Sequence, residues 1–459
     1  MNSKPARPKP RSPQNDRLKP QKPGLEARQA AARLLAAVVD KKASLDGMLD
    51  QVSGNPAYLA LSSVDRGLVR AILNSALRHL PQIDAMFGLM LKTPLPDGAR
   101  ALNHVLAVAA AQILYLDVPD RAAVDLAVEQ ANLDPRNKRF ANLVNALLRR
   151  MSSEKADLLD EVSGRVPALP AWMHDRLTAV FGAERAHAIA DAHLTPAAID
   201  LTVKSDPKGW AERLNGIVLP TGSVRLAHYD GSISDLEGYE AGEWWVQDAA
   251  AAIPARLFGD LSGKRVADLC AAPGGKTAQL ILAGAKVTAL DMSASRLRRL
   301  RENLDRLKLD AELHEGNAGE FQSAEPFDAI LLDAPCSSTG TARRHPDVPW
   351  TKGIEDVRKL AGVQERLLRH ALGLVRPGGT VVFSNCSIDP LEGEEMIERL
   401  LATKTGISRV PVQPDALPGL ESAVNARGEV RTTPEMLRGE TPAESGMDGF
   451  FAVVLRRDA

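Results

Sequence analysis

The sequence has few cysteines and almost no net charge. Only three cysteines, Cys270, Cys336 and Cys386, occur in 459 residues, and their odd number and wide spacing argue against a disulfide framework. Such sparse cysteine usage fits a reducing compartment. The formal net charge of -1 indicates no partner by itself, so any charge signal must be local.

Long apolar runs are also missing. The most apolar predicted helix, Ala101–Leu116, is too short to cross a bilayer and contains Asn103, His104 and Gln112. Residues 1–24 contain no apolar stretch of the kind that a signal peptide needs. We therefore expect a soluble, cytoplasmic protein with no membrane association, and a monomer.

Residues 1–24 contain six prolines, seven Lys or Arg residues and one acid, Asp16. This composition cannot bury enough apolar surface to fold, so it predicts a disordered basic tail. Such a tail either attracts phosphates nonspecifically or is a solvated terminus without a role.

Residues 25–153 show the three-to-four spacing of apolar residues that is typical of helices. The pattern predicts an all-α domain with helices at Ala27–Val39, Val64–Leu80, Ala101–Leu116, Arg121–Asn132 and Arg136–Met151. Arg139 and Arg149 flank Asn142 and Asn145 on or beside the last of these helices. They form either an RNA-facing ridge or an ordinary solvated helix face.

Residues 154–245 mix helical and strand-like pieces, and we expect a connector that packs on the next domain without a core of its own. From 246 to 459, strands and helices alternate with short loops, which is the signature of a parallel, doubly wound sheet. The predicted strands are Val266–Leu269, Val287–Leu290, Ala311–His314, Ala329–Leu332, Thr380–Phe383 and Phe450–Leu455.

The first strand-to-helix turn predicts a binding site for an adenosine-containing ligand. Small residues in this turn let backbone amides approach a ligand, and the helix that follows favours an anionic group. Asp291 ends the next strand, where an acid binds ribose hydroxyls, although it could also cap a helix. Asn317 ends the third strand and could contact a base edge. The residues of the turn are Cys270, Ala271, Ala272, Pro273, Gly274, Gly275 and Lys276.

Asp333 and Cys336 follow the buried strand Ala329–Leu332, at the sheet edge where ligands bind in open α/β sheets. Cys386 follows Thr380–Phe383, and neighbouring parallel strands would bring the two thiols about 5 Å apart. Alternatively, Asp333 is a cap and Cys336 a small apolar filler. Zinc is a poor explanation because no CxxC motif or histidine pair completes a ligand set.

Four motifs together resemble the RsmB/Nop/Sun family of RNA 5-methylcytosine methyltransferases. The helical region in front resembles the NusB-like RNA-binding extension of the RsmB branch, which acts on small-subunit ribosomal RNA. The sequence departs from the usual family pattern at Asn317, Asn385 and Gly393. The four motifs are DLCAAPGGKT (268–277), DAPCSSTG (333–340), RRHPDVPW (343–350) and NCS (385–387).

The resemblance implies a NusB-like domain followed by a Rossmann-like methyltransferase domain that uses S-adenosylmethionine. It implies that Cys386 attacks C6 of cytosine, that Cys336 helps product release and that Asp333 supports addition. The turn 270–276, Asp291, Arg296 and Asn317 would hold the cofactor together with Asp333. The resemblance implies no metal, with RNA as the partner. Arg343 and Arg344 would join Arg139 and Arg149 in contacting RNA phosphates.

Other activities are compatible with parts of this pattern. The substrate could be a tRNA or another RNA. A DNA cytosine methyltransferase would use the thiol after Pro335 as its nucleophile, and an amino-methyltransferase would want an aromatic residue where Cys336 stands. A non-catalytic RNA-binding protein would bind RNA without methyl transfer.

Overall fold

A computed structural model describes residues 22–229 and 231–459 of the chain. Most of the predicted basic tail, residues 1–21, lies outside the described residues. None of the described helices is long and apolar enough to span a bilayer.

The N-terminal region is a helical bundle, as its apolar periodicity predicts. Fully buried side chains such as Leu35, Leu73 and Ile113 form its core. The core continues past residue 153, because Leu158 and Val162 belong to it. The helices are α1 (Leu25–Lys41), α2 (Leu45–Met48), α3 (Pro56–Leu59), α4 (Ser63–Met90), α5 (Arg100–Tyr115), α6 (Asp120–Leu133), α7 (Ala141–Ser153) and α8 (Lys155–Val162).

Two predicted helix bounds in the bundle are wrong. Helix α4 continues through Pro81 to Met90, because buried residues beyond the proline offset the backbone hydrogen bond that it removes. Helix α7 begins at Ala141 rather than Arg136. The Asp134 carboxylate accepts a hydrogen bond from the Arg136 backbone N–H, which holds the preceding segment in a turn.

The middle region has a core of its own, so the prediction of a coreless connector is wrong. Its strands pair in the antiparallel order β2-β3-β1-β4, and Leu201, Trp210 and Trp244 are buried between them and α11. Strands of two to five residues are too short to show alternation in the sequence. The elements are α9 (Ala171–Phe181), α10 (Ala183–Leu194), β1 (Ile199–Val203), α11 (Pro207–Arg213), β2 (Ile217–Val218), β3 (Val224–Leu226), β4 (Trp244–Val246) and α12 (Ile253–Arg256).

The C-terminal region is a mixed sheet with helices on both faces. Its strands follow the order β10-β12-β9-β8-β5-β6-β7, and β11 pairs with β12. Strands β9, β8, β5, β6 and β7 are parallel, whereas β12 is antiparallel to β9. The elements are β5 (Arg265–Leu269), α13 (Gly275–Leu282), β6 (Lys286–Asp291), α14 (Ala294–Arg306), β7 (Glu312–Glu315), β8 (Phe327–Asp333), α15 (Val348–Thr351), α16 (Ile354–Leu374), β9 (Val375–Asn385), α17 (Glu394–Thr403), β10 (Ile407–Val410), β11 (Val430–Thr432) and β12 (Phe450–Arg457).

Residues 334–353, which we call the anchored loop, leave the C-terminal sheet and contact the helical bundle. The backbone N–H of Leu45 donates to Asp347 Oδ2 over 2.9 Å, and Trp350 Nε1 donates to the carbonyl of Leu77 over 3.0 Å. His345 pairs with Asp46 at 3.1 Å. The loop that begins beside Asp333 is therefore held by residues about 300 positions earlier in the chain.

Candidate active site

The structure brings Cys336 and Cys386 together. Strands β8 and β9 are parallel neighbours, with Asp333 opposite Ser384, so the residues after both strands lie at one edge of the sheet. The two Sγ atoms are 3.4 Å apart. This spacing places one thiol within hydrogen-bonding distance of the other and confirms the predicted proximity.

The surroundings distinguish the two thiols. The pKa of Cys386 is lowered because the Cys336 thiol can donate to its thiolate, and the Ser338 hydroxyl lies 3.5 Å from its Sγ. The pKa of Cys336 is raised by the same contact, by burial and by the charge of Glu392. A thiolate is the nucleophilic form of cysteine, and a Cys386 thiolate would have two donors within 3.5 Å, the Cys336 thiol and the Ser338 hydroxyl.

Glu392 joins the two cysteine-bearing segments. This fully buried carboxylate accepts hydrogen bonds from the Ser337 backbone N–H at 2.9 Å and from Gln364 Nε2 at 2.8 Å. Its backbone carbonyl accepts from Asn385 Nδ2 at 2.7 Å. Ser337 and Asn385, which adjoin the two cysteines, are thus both bonded to Glu392, and this holds the two thiols next to each other.

Asp333 lies beside the thiols with both carboxylate oxygens engaged. Oδ2 accepts from Lys276 Nζ at 2.8 Å, and Oδ1 accepts from the Ser384 hydroxyl at 2.9 Å. Lys276 also lies 4.9 Å above the Phe450 ring. Lys276 therefore links the turn 270–276 to Asp333 and orients the carboxylate.

The turn after β5 packs closely against α14. Gly274 has a φ of 101°, and an added Cβ would lie 2.9 Å from Leu300 Cγ on α14. Only glycine fits there without strain. Cys270 follows β5 with a φ of 65°, and burial raises the pKa of its thiol to about 12, so it is an unreactive thiol.

Asp291 closes the opposite side of this turn. Its Oδ2 accepts from the backbone N–H of Ala272 at 3.2 Å, and its Oδ1 accepts from that of Ser293 at 3.1 Å. Arg296 Nη1 lies 3.4 Å from Oδ2, and Arg296 Nη2 donates to the Ala272 carbonyl at 2.5 Å. Asp291 therefore supports the turn as well as standing at the end of β6.

Asn317 lies past β7 and is exposed. Its Oδ1 accepts from the Gly319 backbone N–H at 3.0 Å, and its Nδ2 donates to Glu320 at 3.1 Å. The residue thus caps its own turn, while its strand end shares the sheet edge with Asp291.

A cavity of about 490 Å³ joins the turn 270–276 to Asp333. Three buried acids outside the predicted site residues line it, Asp248, Asp268 and Asp448. Burial raises the pKa of Asp268 and of Asp448 to about 7. Asp268 is the next-to-last residue of β5, and its position near a strand end was the available signal. The other lining residues include Tyr239, Trp245, Gln247, Lys276, Arg306 and Arg344.

Arg343 and Arg344 differ in their placement. Arg343 is 3% exposed and donates to the Ser445 carbonyl at 2.8 Å, which argues against phosphate contact. Arg344 donates to Asp248 Oδ2 at 2.5 Å and lies 3.3 Å from Asp448 Oδ2. Its side chain is partly exposed and lines the cavity, so its contact with RNA stays a prediction.

Arg139 and Arg149 are exposed on the helical bundle. Arg139 stacks 4.7 Å from the Phe140 ring centre, and Arg149 Nε donates to Asn145 Oδ1 at 2.9 Å. Both side chains remain accessible to a large ligand.

The described residues contain no candidate metal site. Residues 22–229 and 231–459 contain no group of three or more His, Cys, Asp or Glu side chains that could hold a metal ion.

Comparison with known proteins identifies the family. The family profile described as 16S rRNA methyltransferase RsmB/F matches residues 260–456, and the profile of the NusB family matches residues 25–153. Ribosomal RNA small subunit methyltransferase B of Vibrio vulnificus is 33% identical over 454 residues, which cover 95% of this chain and 100% of the relative. The protein of the same name from Xylella fastidiosa (strain Temecula1) is 36% identical, covering 95% and 99% of the two chains.

The crystal structure of PH0851 has the same fold, with a TM-score of 0.69 at 19% identity, covering 95% of this chain and 99% of that one. The predicted resemblance and fold class are thereby confirmed. The sequence identity over nearly the full length of both chains shows that this protein belongs to the RsmB/F family of 16S rRNA methyltransferases, carries an N-terminal NusB-family region and is an RNA methyltransferase.

Proposed function

We propose that this protein methylates C5 of a cytosine in small-subunit ribosomal RNA, with Cys386 as a covalent nucleophile and S-adenosylmethionine as the methyl donor. The observation that carries the proposal is the 3.4 Å thiol pair beside the Asp333–Lys276 ion pair. A methyltransferase acting on nitrogen or on a ribose hydroxyl has no need of a second thiol there.

Cytosine C5 is a weak nucleophile, so addition of a thiolate at C6 must first make it electron-rich. Cys386 adds to C6, and Ser338 and Cys336 stabilise its thiolate before addition. Asp333, oriented by Lys276 and Ser384, hydrogen-bonds the base and supports the addition. Cys336 then assists release of the Cys386 sulfur.

The residues around the turn suit S-adenosylmethionine, which supplies a methyl group from its sulfonium when bound. The Asp268 Oδ1 atom is buried and has no hydrogen-bond partner within residues 22–229 and 231–459, so it suits the cationic amino group. The turn 270–276 carries the methionine end, Asp291 binds the ribose, Arg296 supports it, and Asn317 meets the adenine edge.

The RNA contacts belong to the helical bundle in this proposal. We assign 1–24 to a basic tail, 25–153 to an RNA-binding domain whose core continues to Val162, 154–245 to a connector and RNA-binding subdomain, and 246–459 to the methyltransferase domain. Arg139 and Arg149 support RNA binding by the bundle, because both are exposed and neither forms an ion pair among the described residues. The enzyme cannot reach a base that is stacked inside an RNA helix, so the target nucleotide is unpaired or is flipped out of the helix.

The test is methyl transfer in vitro. The purified protein is incubated with methyl-labelled S-adenosylmethionine and small-subunit rRNA, both naked and as a ribosomal particle, with Cys386→Ala as the control. We expect labelled 5-methylcytidine by mass spectrometry from the wild type only. Label in tRNA instead of rRNA would show that tRNA is the substrate. RNA binding without any methylcytidine would show that the protein binds RNA without catalysing methyl transfer.

A further inference from the structure

The two site thiols lie within reach of a covalent bond to each other. Their Sγ atoms are 3.4 Å apart, so a disulfide bond of about 2.05 Å requires the sulfurs to approach by only ~1.4 Å. Cys336 and Cys386 are both free cysteines, and both are partly exposed, so a small oxidant in the solvent can reach them. Rotation of the two side chains supplies this movement when the backbones already lie at the right separation.

The backbones lie at the separation that a disulfide spans. Asp333 and Ser384 are opposite each other on parallel strands, and the Ala334 N–H donates to the Ser384 carbonyl at 2.9 Å. Further along the chain, the Gly340 N–H donates to the Cys386 carbonyl at 2.9 Å. Neighbouring strands are about 4.8 Å apart, and a disulfide joins Cα atoms that are about 4.4–6.8 Å apart. The two segments are therefore held at a suitable distance before and after the thiol pair.

Glu392 limits how far the two segments can separate. Its carboxylate accepts from the Ser337 backbone N–H at 2.9 Å, and its backbone carbonyl accepts from Asn385 Nδ2 at 2.7 Å. All three residues are buried, so the segments cannot separate without the loss of a buried hydrogen bond. Because the folded chain already holds the thiols together, closing the bond costs little further conformational entropy.

Cys386 has the surroundings of an oxidisable thiol. Its thiolate would have the Cys336 thiol and the Ser338 hydroxyl as donors within 3.5 Å. The thiolate is the form that reacts with oxidants, and an accessible thiolate beside a second, resolving cysteine is typical of redox-sensing sites. Cys270 is the internal control, because burial raises the pKa of its thiol to about 12 and keeps it protonated.

We propose that Cys336 and Cys386 are a reversible oxidation site for peroxide, and that their disulfide stops methyl transfer, a consequence that rests on the proposed function. The Cys386 thiolate attacks one oxygen of hydrogen peroxide, the O–O bond breaks, and the released hydroxide takes up a proton to form water. The Cys336 sulfur gives up its proton and attacks the resulting sulfenic acid. The S–S bond forms as the S–O bond breaks, and the second hydroxide leaves with that proton as water. Two thiols are oxidised and one peroxide is reduced, and two molecules of a small thiol reverse the step by exchange.

The test counts thiols in the purified full-length protein, so its first readout does not depend on activity. The protein is treated with hydrogen peroxide, unfolded in an alkylating reagent and analysed by mass spectrometry. We expect the number of alkylated cysteines to fall from three to one, and a digest without reductant should contain a peptide pair linked through Cys336 and Cys386. Dithiothreitol should restore all three alkylated cysteines. Methyl transfer to RNA should be lost and regained in parallel.

Single variants show whether the bond depends on both site thiols. Cys270→Ser should lose both of its remaining alkylation sites on oxidation. Cys336→Ser leaves Cys386 without a resolving thiol, so dimedone should label its sulfenic acid and no linked peptide should form. Circular dichroism shows whether each variant is folded, and if one is not, the wild-type count decides alone.

Three alkylated cysteines after peroxide treatment would overturn the proposal, and so would a linked peptide that contains Cys270. Addition of oxygen to Cys386 while Cys336 remains open to alkylation would also overturn it, because the second thiol would then not resolve the sulfenic acid. A disulfide that leaves methyl transfer unchanged would refute the switch. Failure of the reduced protein to methylate any cytosine would refute the proposed function instead, and the thiol count would still decide the oxidation site.

Discussion

Replacing each site thiol in turn separates the roles of Cys386 and Cys336. Cys386→Ala removes the sulfur that adds to C6, so we expect no covalent adduct and no turnover. Cys336→Ala keeps the nucleophile but removes the thiol 3.4 Å from it. Adduct formation should survive in this variant, while resolution of the adduct should fail because the leaving thiolate has lost its hydrogen-bond partner.

The contact between the two thiols also determines how much Cys336→Ala slows the first step, formation of the adduct. A hydrogen bond to a charged group contributes about 1.5–3 kcal/mol, and the lower value applies because sulfur is a weak donor. Since 1.4 kcal/mol is about a factor of ten in rate, adduct formation by Cys336→Ala should be roughly 10-fold slower at neutral pH. The loss should shrink at higher pH, where Cys386 ionises without help.

A denaturing gel with labelled substrate RNA and S-adenosylmethionine measures both steps. Cys336→Ala should accumulate a slowly migrating protein–RNA band that persists for many turnovers of the wild type. Cys270→Ala, which keeps both site thiols, should form and resolve its adduct. An adduct from Cys386→Ala together with none from Cys336→Ala would refute the assignment and would indicate the arrangement of DNA cytosine methyltransferases.

Three further predictions test the cofactor site, the helical bundle and the contact between regions. Asp291→Ala should weaken S-adenosylmethionine binding by about 1–3 kcal/mol, and calorimetry showing unchanged affinity would reject its ribose role. Deletion of residues 1–153 should spare cofactor binding but weaken RNA affinity and flatten its salt dependence; equal binding across a salt series would exclude the bundle as the RNA platform. Hydrogen bonding between His345 and Asp46 raises the pKa of His345 and lowers that of Asp46. The pair should therefore stabilise the fold at pH values above the unfolded pKa of Asp46, and this stabilisation should be lost as the pH rises through the folded pKa of His345. Because both side chains are partly exposed, the effect should stay below ~1 kcal/mol, and His345→Gln should flatten the dependence of Tm on pH between 6 and 8.

The sequence predicts the elements that local pattern determines. Buried strands such as Ala329–Leu332 are apolar runs bounded by polar residues, and the structure places them in the middle of the sheet. The pairing of Cys336 with Cys386 followed from one rule, that neighbouring parallel strands end at the same edge.

A local sequence pattern cannot show which residues far apart in the chain contact each other in the fold. Arg343 and Arg344 look like phosphate-binding residues because their partners lie elsewhere in the chain. Arg344 meets Asp248 96 positions away and Asp448 104 positions away, and Arg343 donates to the Ser445 carbonyl 102 positions away.

The anchored loop has a consequence for biosynthesis. Contacts between residues far apart in sequence form late in folding, and the hydrogen bond from Leu45 to Asp347 spans 302 positions. Ribosomes release the N-terminal bundle first, so it is available as a template before the C-terminal sheet has been translated. The segment that carries Cys336 is held at its start by Glu392 and at its end by the docking of the anchored loop on that bundle. A chain whose synthesis stops before Glu392 would therefore lack the residue that joins the two cysteine-bearing segments, even with the bundle complete.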